Sequence, residues 1–259
     1  MTRPSVSVWF PPGRPNAATA PPLDARAAQL FCLPHAGAGA SAYRLWPELL
    51  APAIEVIPVQ LPGRESRRSE PLRRSVFDLA AELSGPLADR ADGEFSLFGH
   101  SLGALLGYEL AHALAAIGRP PAHLFVSGLS APHLPPARPP TYNLPEDELM
   151  SVIEGLEGTT AEVLASAELM RLLLPVFRAD LESCETYQHP SRPPLSVPIT
   201  ALGGRHDSGV SLDRLAGWSD LSSAAFCITT FAGGHFYLHS ALAEVTAVVG
   251  AKLRSDRND

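Results

Sequence analysis

The run Phe98-Gly99-His100-Ser101-Leu102-Gly103 carries the spacing G-x-S-x-G between an apolar, β-type segment and a segment of helical period. A serine on such a turn has its hydroxyl held clear of the sheet, and the flanking glycines let neighbouring backbone approach with no Cβ in the way. Serine is a weak nucleophile until a base takes its proton. A histidine and an orienting carboxylate must therefore follow, in the chain order Ser, acid, His. The alternative is an ordinary turn with an incidental serine, and the agreement of spacing, strand and helix weighs against it.

His235 fits the base, because Phe231-Ala232-Gly233-Gly234-His235 lies just past the last β-type run, where a loop can bring an imidazole over the serine. His35, His100, His112, His123, His133 and His189 come too early, His206 adjoins the acid, and His239 falls inside the final helical segment. Asp207, closing the run that starts at Pro198, fits the acid; Asp213 is the fallback and reads equally as the start of a helix. The acid would fix the tautomer of His235 and stabilise its imidazolium. A tetrahedral intermediate needs preorganised donors: the backbone N–H of Leu102, and a second from Leu33-Pro34-His35-Ala36-Gly37-Ala38-Gly39, that of Ala36. That loop lacks both G-x-G-x-x-G and a Walker lysine, so phosphate binding is a weak reading. His235 and His239 are spaced i, i+4 without the glutamate of H-E-x-x-H, and no metal or other cofactor is expected.

These residues need a scaffold, and the chain supplies the pattern of one. Strand-type runs at Gln29–Leu33, Ile54–Val59, Phe95–Phe98, His123–Ser127, Pro198–Leu202 and Phe226–Phe231 alternate with helix-type segments at Ala42–Leu50, Leu72–Asp89, Ser101–Ile117, Leu212–Trp218 and Phe236–Leu253. Val6–Phe10 reads as an added edge strand. The pattern predicts an α/β protein: a mostly parallel sheet flanked by helices, with the serine turn of an α/β-hydrolase.

From Pro132 to Val197 the alternation stops, and proline-rich flanks enclose helix-type sequence. Pro145-Glu146-Asp147-Glu148 opens a short helix with acids in its first turn. Thr159-Thr160-Ala161-Glu162 has capping-box spacing and starts a second, longer one, in which Pro175 is expected to cause a kink or break. Leu149, Ile153, Val163, Leu164, Leu172 and Leu173 would form the apolar face. An elaborated piece of core is one reading. A helical lid at residues 132–197, inserted in a single domain spanning residues 1–259, is the favoured one.

Composition excludes several classes. A net charge of −7 gives no basic field for nucleic acid or an anionic membrane. No apolar run reaches the length of a membrane span, and the first residues lack the apolar core of a secretory signal. The three cysteines, Cys32, Cys184 and Cys227, are far apart and read as buried free thiols, so a reducing cytoplasmic setting is expected. Nothing requires more than a monomer.

Beyond the serine turn, Leu33-Pro34-His35-Ala36-Gly37, Val59-Gln60-Leu61-Pro62-Gly63-Arg64-Glu65, Gly99-His100-Ser101-Leu102-Gly103 and Gly233-Gly234-His235-Phe236 occur in this order. Together they resemble the type II thioesterases, the free-standing editing enzymes that accompany modular polyketide synthases and nonribosomal peptide synthetases. The resemblance implies an α/β-hydrolase fold with a mobile helical lid. It also implies hydrolysis of stalled acyl groups from the phosphopantetheine arm of an acyl or peptidyl carrier protein, by Ser101, Asp207 and His235 with Leu102 and Ala36 as oxyanion donors. Carrier domains are typically acidic, so Arg64, Arg67 and Arg68, within a cluster that continues to Arg73 and Arg74, are a candidate docking patch; a solvated loop partly paired by Glu65 and Glu70 is the competing reading. A general carboxylesterase or lipase shares the same triad, and a non-catalytic binding module is a more distant alternative.

Overall fold

The computed structural model describes residues 6–11, 23–24, 27–156, 158–159 and 161–255. In chain order its elements are α1 (Val6–Trp9), β1 (Ala28–Leu33), α2 (Trp46–Leu50), β2 (Ile54–Pro58), α3 (Val76–Arg90), β3 (Phe95–His100), α4 (Leu102–Ala116), β4 (His123–Ser127), α5 (Glu146–Gly155), α6 (Ala161–Leu164), α7 (Ala167–Glu185), β5 (Ile199–Gly204), α8 (Leu212–Ala216), β6 (Phe226–Phe231), α9 (Tyr237–Ser240) and α10 (Leu242–Ser255). The strands form one six-stranded sheet in the order β2-β1-β3-β4-β5-β6. Every neighbouring pair is parallel. The six strands expected between Gln29 and Phe231 are present within a residue or two.

Side chains alternate across the sheet as a period of two requires. Phe31, Leu33 and Leu97 join one core layer with α3 and α4, while Leu30, Cys32 and Phe98 join the other with Trp46, Val245 and Val249. The chain leaves β1 toward β2 on one side and returns to β3 on the other. The strand order therefore reverses between β1 and β3, and the crevice at their carboxyl ends is where open α/β sheets place ligands.

An inserted helical region, α5 to α7, lies between β4 and β5. It has a small core of its own in Leu149, Ile153, Met170, Leu174 and Phe177, with Val163, Leu164 and Leu173 packed against it. Leu172 is not part of that face and is 67% exposed. The capping-box sequence opens only the short α6, and Thr160 within it lies outside the described residues. The long helix starts later, where the Ser166 hydroxyl accepts the Leu169 N–H. Pro175 does not end α7: the helix runs through it, with Leu174, Val176 and Phe177 buried around it to offset the missing donor.

Val6–Trp9 is a helical turn and not an edge strand. Trp9 is fully buried against α3, its carbonyl accepts the Gln60 N–H at 2.8 Å, and the Arg67 guanidinium lies 4.0 Å above its ring. Burying one large ring decides the conformation that β-type residue content alone does not. Cys227, expected to be buried, is exposed because β6 is the edge of the sheet, whereas Cys32 on β1 is buried and its thiol pKa is pushed up by that burial. Among the described residues no helix is long and apolar enough to cross a membrane.

Candidate active site

Ser101 stands between β3 and α4 with φ 54° and ψ −117°. A non-glycine residue at positive φ costs on the order of 1–3 kcal/mol, so its surroundings must hold it there. They do so through backbone. The Ser101 N–H donates to the Ser127 carbonyl at 2.8 Å, and its own carbonyl accepts the N–H groups of Ala104 and Leu105 as α4 begins. Both flanking glycines are sterically required: a Cβ on Gly99 would lie 2.0 Å from the Gly103 carbonyl oxygen, and one on Gly103 would lie 2.1 Å from that of Leu33. The second contact also draws the start of α4 against the end of β1.

Asp207 and His235 come from the loops after β5 and β6, which are joined by Arg205 N–H to Phe231 O and His206 N–H to Gly233 O, each at 2.9 Å. Gly204 touches the Gly234 carbonyl so closely that a Cβ there would sit 2.1 Å from it. His235 Nδ1 lies 2.7 Å from Asp207 Oδ2, with the two side chains 16% and 3% exposed. An ionised carboxylate only accepts, so Nδ1 carries a proton, and in the neutral imidazole Nε2 is the nitrogen with the free lone pair. Burial alone would raise the Asp207 pKa; the hydrogen bond and charge of His235, with the Gly209 and Val210 backbone, outweigh it and hold the carboxyl below its ordinary value. Asp213 instead sits exposed in the first turn of α8, which Ser211 caps.

The His235 ring is 5.0 Å from that of His100, the neighbour of Ser101. Among the described residues no hydrogen bond joins Ser101 to His235, so of the two links expected between the three candidate residues the one between His235 and Asp207 is made. Other imidazoles surround them without adding charge. Burial drives the His100 pKa well below its usual value, and that of His35 down to about 4, helped by His239 and His235 and opposed by the bond to Ala36. Behind the turn, His100 Nδ1 is 2.8 Å from Ser127 Oγ, which is 2.5 Å from the Tyr237 hydroxyl.

Among the described residues the N–H groups of Leu102 and Ala36, the two expected oxyanion donors, are not engaged in a hydrogen bond. The next donor, Gly37 N–H, is committed at 2.8 Å to Asp180 of α7. The helical region meets the site at two glycines. The Phe177 ring of α7 occupies the position of a Gly37 Cβ, 2.3 Å from it, and the Phe236 ring, next to His235, does the same at Gly158 between α5 and α6.

Two of the three candidate docking arginines are not available to a partner. Arg64 is buried and forks onto Asp180, Nη1 to Oδ2 at 2.5 Å and Nη2 to Oδ1 at 2.9 Å. Arg67 is buried, with Glu70 at 2.6 and 2.7 Å and the Gln60 carbonyl at 3.0 Å. Only Arg68 of the trio is exposed. Arg73 and Arg74 pair with Glu82 and Glu182. Asp180 and Phe177, which the sequence reading did not single out, thus lie against the loop after β1, and Arg64, read there as a docking residue, is instead buried against Asp180.

This sheet order, serine turn and inserted helical region define an α/β-hydrolase fold. A family model, the thioesterase domain, matches residues 28–253. The chain is 37% identical to the gramicidin S biosynthesis protein GrsT of Aneurinibacillus migulanus over 253 residues, which cover 96% of this chain and 95% of that protein. It superposes on the type II thioesterase BorB from the borrelidin biosynthetic cluster with a TM-score of 0.85 at 35% identity, covering 97% of this chain and 99% of that one. RedJ, a thioesterase of the prodiginine pathway of Streptomyces coelicolor, gives 0.83 at 40% identity over 95% and 92%. The chain belongs to the thioesterase family, among the type II thioesterases.

Proposed function

We propose that this enzyme hydrolyses stalled or aberrant acyl groups from the phosphopantetheine arm of acyl or peptidyl carrier proteins in polyketide or nonribosomal peptide biosynthesis. The observation that carries the reading is the 2.7 Å bond between His235 Nδ1 and Asp207, which leaves Nε2 as a base beside the Ser101 turn. In this reading His235 takes the Ser101 proton as Oγ attacks the thioester carbon. The oxyanion is received by the Leu102 and Ala36 N–H groups, and collapse expels the thiol with the proton from His235. Water, deprotonated by the same imidazole, then releases the acid and restores Ser101. Buried neutral His35 and His100 add no positive charge to oppose the imidazolium. The assignment to biosynthetic carrier proteins is supported by the borrelidin, prodiginine and gramicidin S relatives. We further infer a cytoplasmic, monomeric enzyme of one domain, with residues 132–197 as the lid.

The test compares the same short acyl group on a phosphopantetheinylated carrier protein, on a small thiol and on an oxygen ester. The carrier-bound thioester should have the highest kcat/KM, and Ser101→Ala should lower kcat by about 10⁴-fold or more. A preference for the oxygen ester would instead make the chain a general carboxylesterase. An active Ser101→Ala would remove the nucleophile assignment.

A further inference from the structure

Asp180 is completely buried on α7, and its carboxylate serves two parts of the molecule. One oxygen takes Arg64 Nη2; the other takes Arg64 Nη1 and the Gly37 N–H. A buried carboxylate costs several kcal/mol unless its lone pairs are filled, so its presence calls for a reason beyond packing. The peptide it holds is the one joining Ala36 to Gly37. The Ala36 carbonyl at the other end of that peptide faces His35 Nδ1 at 3.0 Å, so the plane is fixed at both ends. Gly37 has φ +78°, and the Phe177 ring, one turn before Asp180 on the same helix, covers the space beside it.

The remaining loop residues are held by the segment Gln60–Glu65. Gln60 Oε1 accepts the Ala40 N–H at 3.1 Å, Arg64 Nη1 donates to the Ala38 carbonyl at 3.4 Å, and Glu65 accepts from the Ser41 hydroxyl at 2.5 Å. The Glu65 carboxylate fills the place a Gly39 Cβ would take. The polar groups of this segment thus converge on the loop that carries the second oxyanion donor.

We propose that Asp180 is a positioning residue of the thioesterase reaction: it fixes the oxyanion loop through Gly37, Arg64 orients its carboxylate, and the Ala36 donor is in place only while α7 is seated. This rests on the proposed roles of Ser101 and Ala36. A donor moved by about 1 Å can cost about 100-fold in rate, and the effect belongs to the transition state, not to substrate binding.

Two double variants isolate the Gly37 bond. R64M/D180N removes both buried charges but keeps an oxygen for the Gly37 N–H; R64M/D180L removes the charges and the oxygen together. Hydrolysis of an acyl group on a small thiol is followed for each, with inhibition by a trifluoromethyl ketone that forms a tetrahedral oxyanion on the serine. R64M/D180L should have a kcat about 30- to 100-fold below R64M/D180N, with KM within about threefold and ketone affinity weakened in step with kcat. Equal kcat in the two variants, a loss confined to KM, or unchanged ketone affinity would overturn the proposal. If R64M/D180L does not fold, R64M/D180V makes the same comparison. Wild type and Ser101→Ala are assayed first: an active Ser101→Ala means the underlying reading has failed, whereas an inactive one beside two equal double variants means that only the role of Asp180 has.

Discussion

Where α7 crosses the loop after β1, its contacts are polar, buried and doubled; where the α5–α6 connection crosses the loop after β6, one aromatic ring rests on one glycine. At the first edge Arg64, Asp180 and the Gly37 N–H form a closed set under the Phe177 ring. At the second, Gly158 lies against Phe236. Breaking one partner of a desolvated, fully satisfied polar set is expensive, while a single apolar contact can slide without leaving a polar group unpaired. The two contacts should therefore yield differently, with α7 anchored beside the oxyanion loop and the contact between Gly158 and Phe236 the first to part.

The largest expected effect comes from breaking the anchored edge. Arg64→Met leaves Asp180 charged and buried without its cation and should cost about 3–5 kcal/mol, read as a shift in the urea midpoint. Glu182→Gln, at the exposed pair with Arg74 on the same helix, should cost less than about 1 kcal/mol. If both losses are small, the anchored edge is not anchored, and the contrast with the α5–α6 edge disappears.

That anchor is also where sequence reasoning failed, for a physical reason. Arg64, Arg67 and Arg68 in a short stretch of an acidic chain read as a charged face, and nothing local reveals that Arg64 has its partner 116 residues away. The serine turn was legible because its requirements are local: two glycines, a strand before and a helix after, all within Phe95–Ala116. Asp207 and His235 were legible because each ends a strand run in a parallel sheet, so that topology brings them together. The Val6–Phe10 strand and the Pro175 break were misread because burial of Trp9 and of the residues around Pro175 overrides local preference, and burial is a property of the assembled fold.

The two glycines under the rings provide a middle-sized test. Gly37→Ala places a methyl within the Phe177 ring at a left-handed φ of +78°, and Phe177 is packed in the core of the helical region. A loss of about 2–4 kcal/mol is expected from strain and overpacking, with a fall in kcat. Gly158→Ala meets the Phe236 ring, but that contact belongs to the edge expected to open, so the loss should be about 1 kcal/mol and appear mainly in KM. Thermal midpoints and steady-state constants of the two variants check the order, and the reverse order would exchange the anchored and opening edges.

The smallest effect concerns His35, which touches both edges: its Nδ1 holds the Ala36 carbonyl at 3.0 Å, and its ring packs 4.7 Å from that of Phe236. Burial, with His239 and His235 nearby, depresses its pKa to about 4 despite the bond to Ala36. For a base with a depressed folded pKa, the unfolded chain binds the proton first. Stability is therefore complete above the unfolded value of about 6.5 and declines as the pH falls from there toward about 4. Between pH 7 and pH 6 the loss from this one group is on the order of 0.7 kcal/mol, and it hardly depends on the folded value so long as that stays low. His35→Gln should flatten the urea-midpoint slope across that interval by this amount, while buried His100 contributes equally to both proteins. Amide exchange then assigns the loss to an edge: on going from pH 7 to 6, after correction for intrinsic rates, wild-type protection should fall more in α5 and α6 than in α7, because Phe236 yields before Asp180 releases Gly37. A uniform fall would mean that the helical region opens as one body.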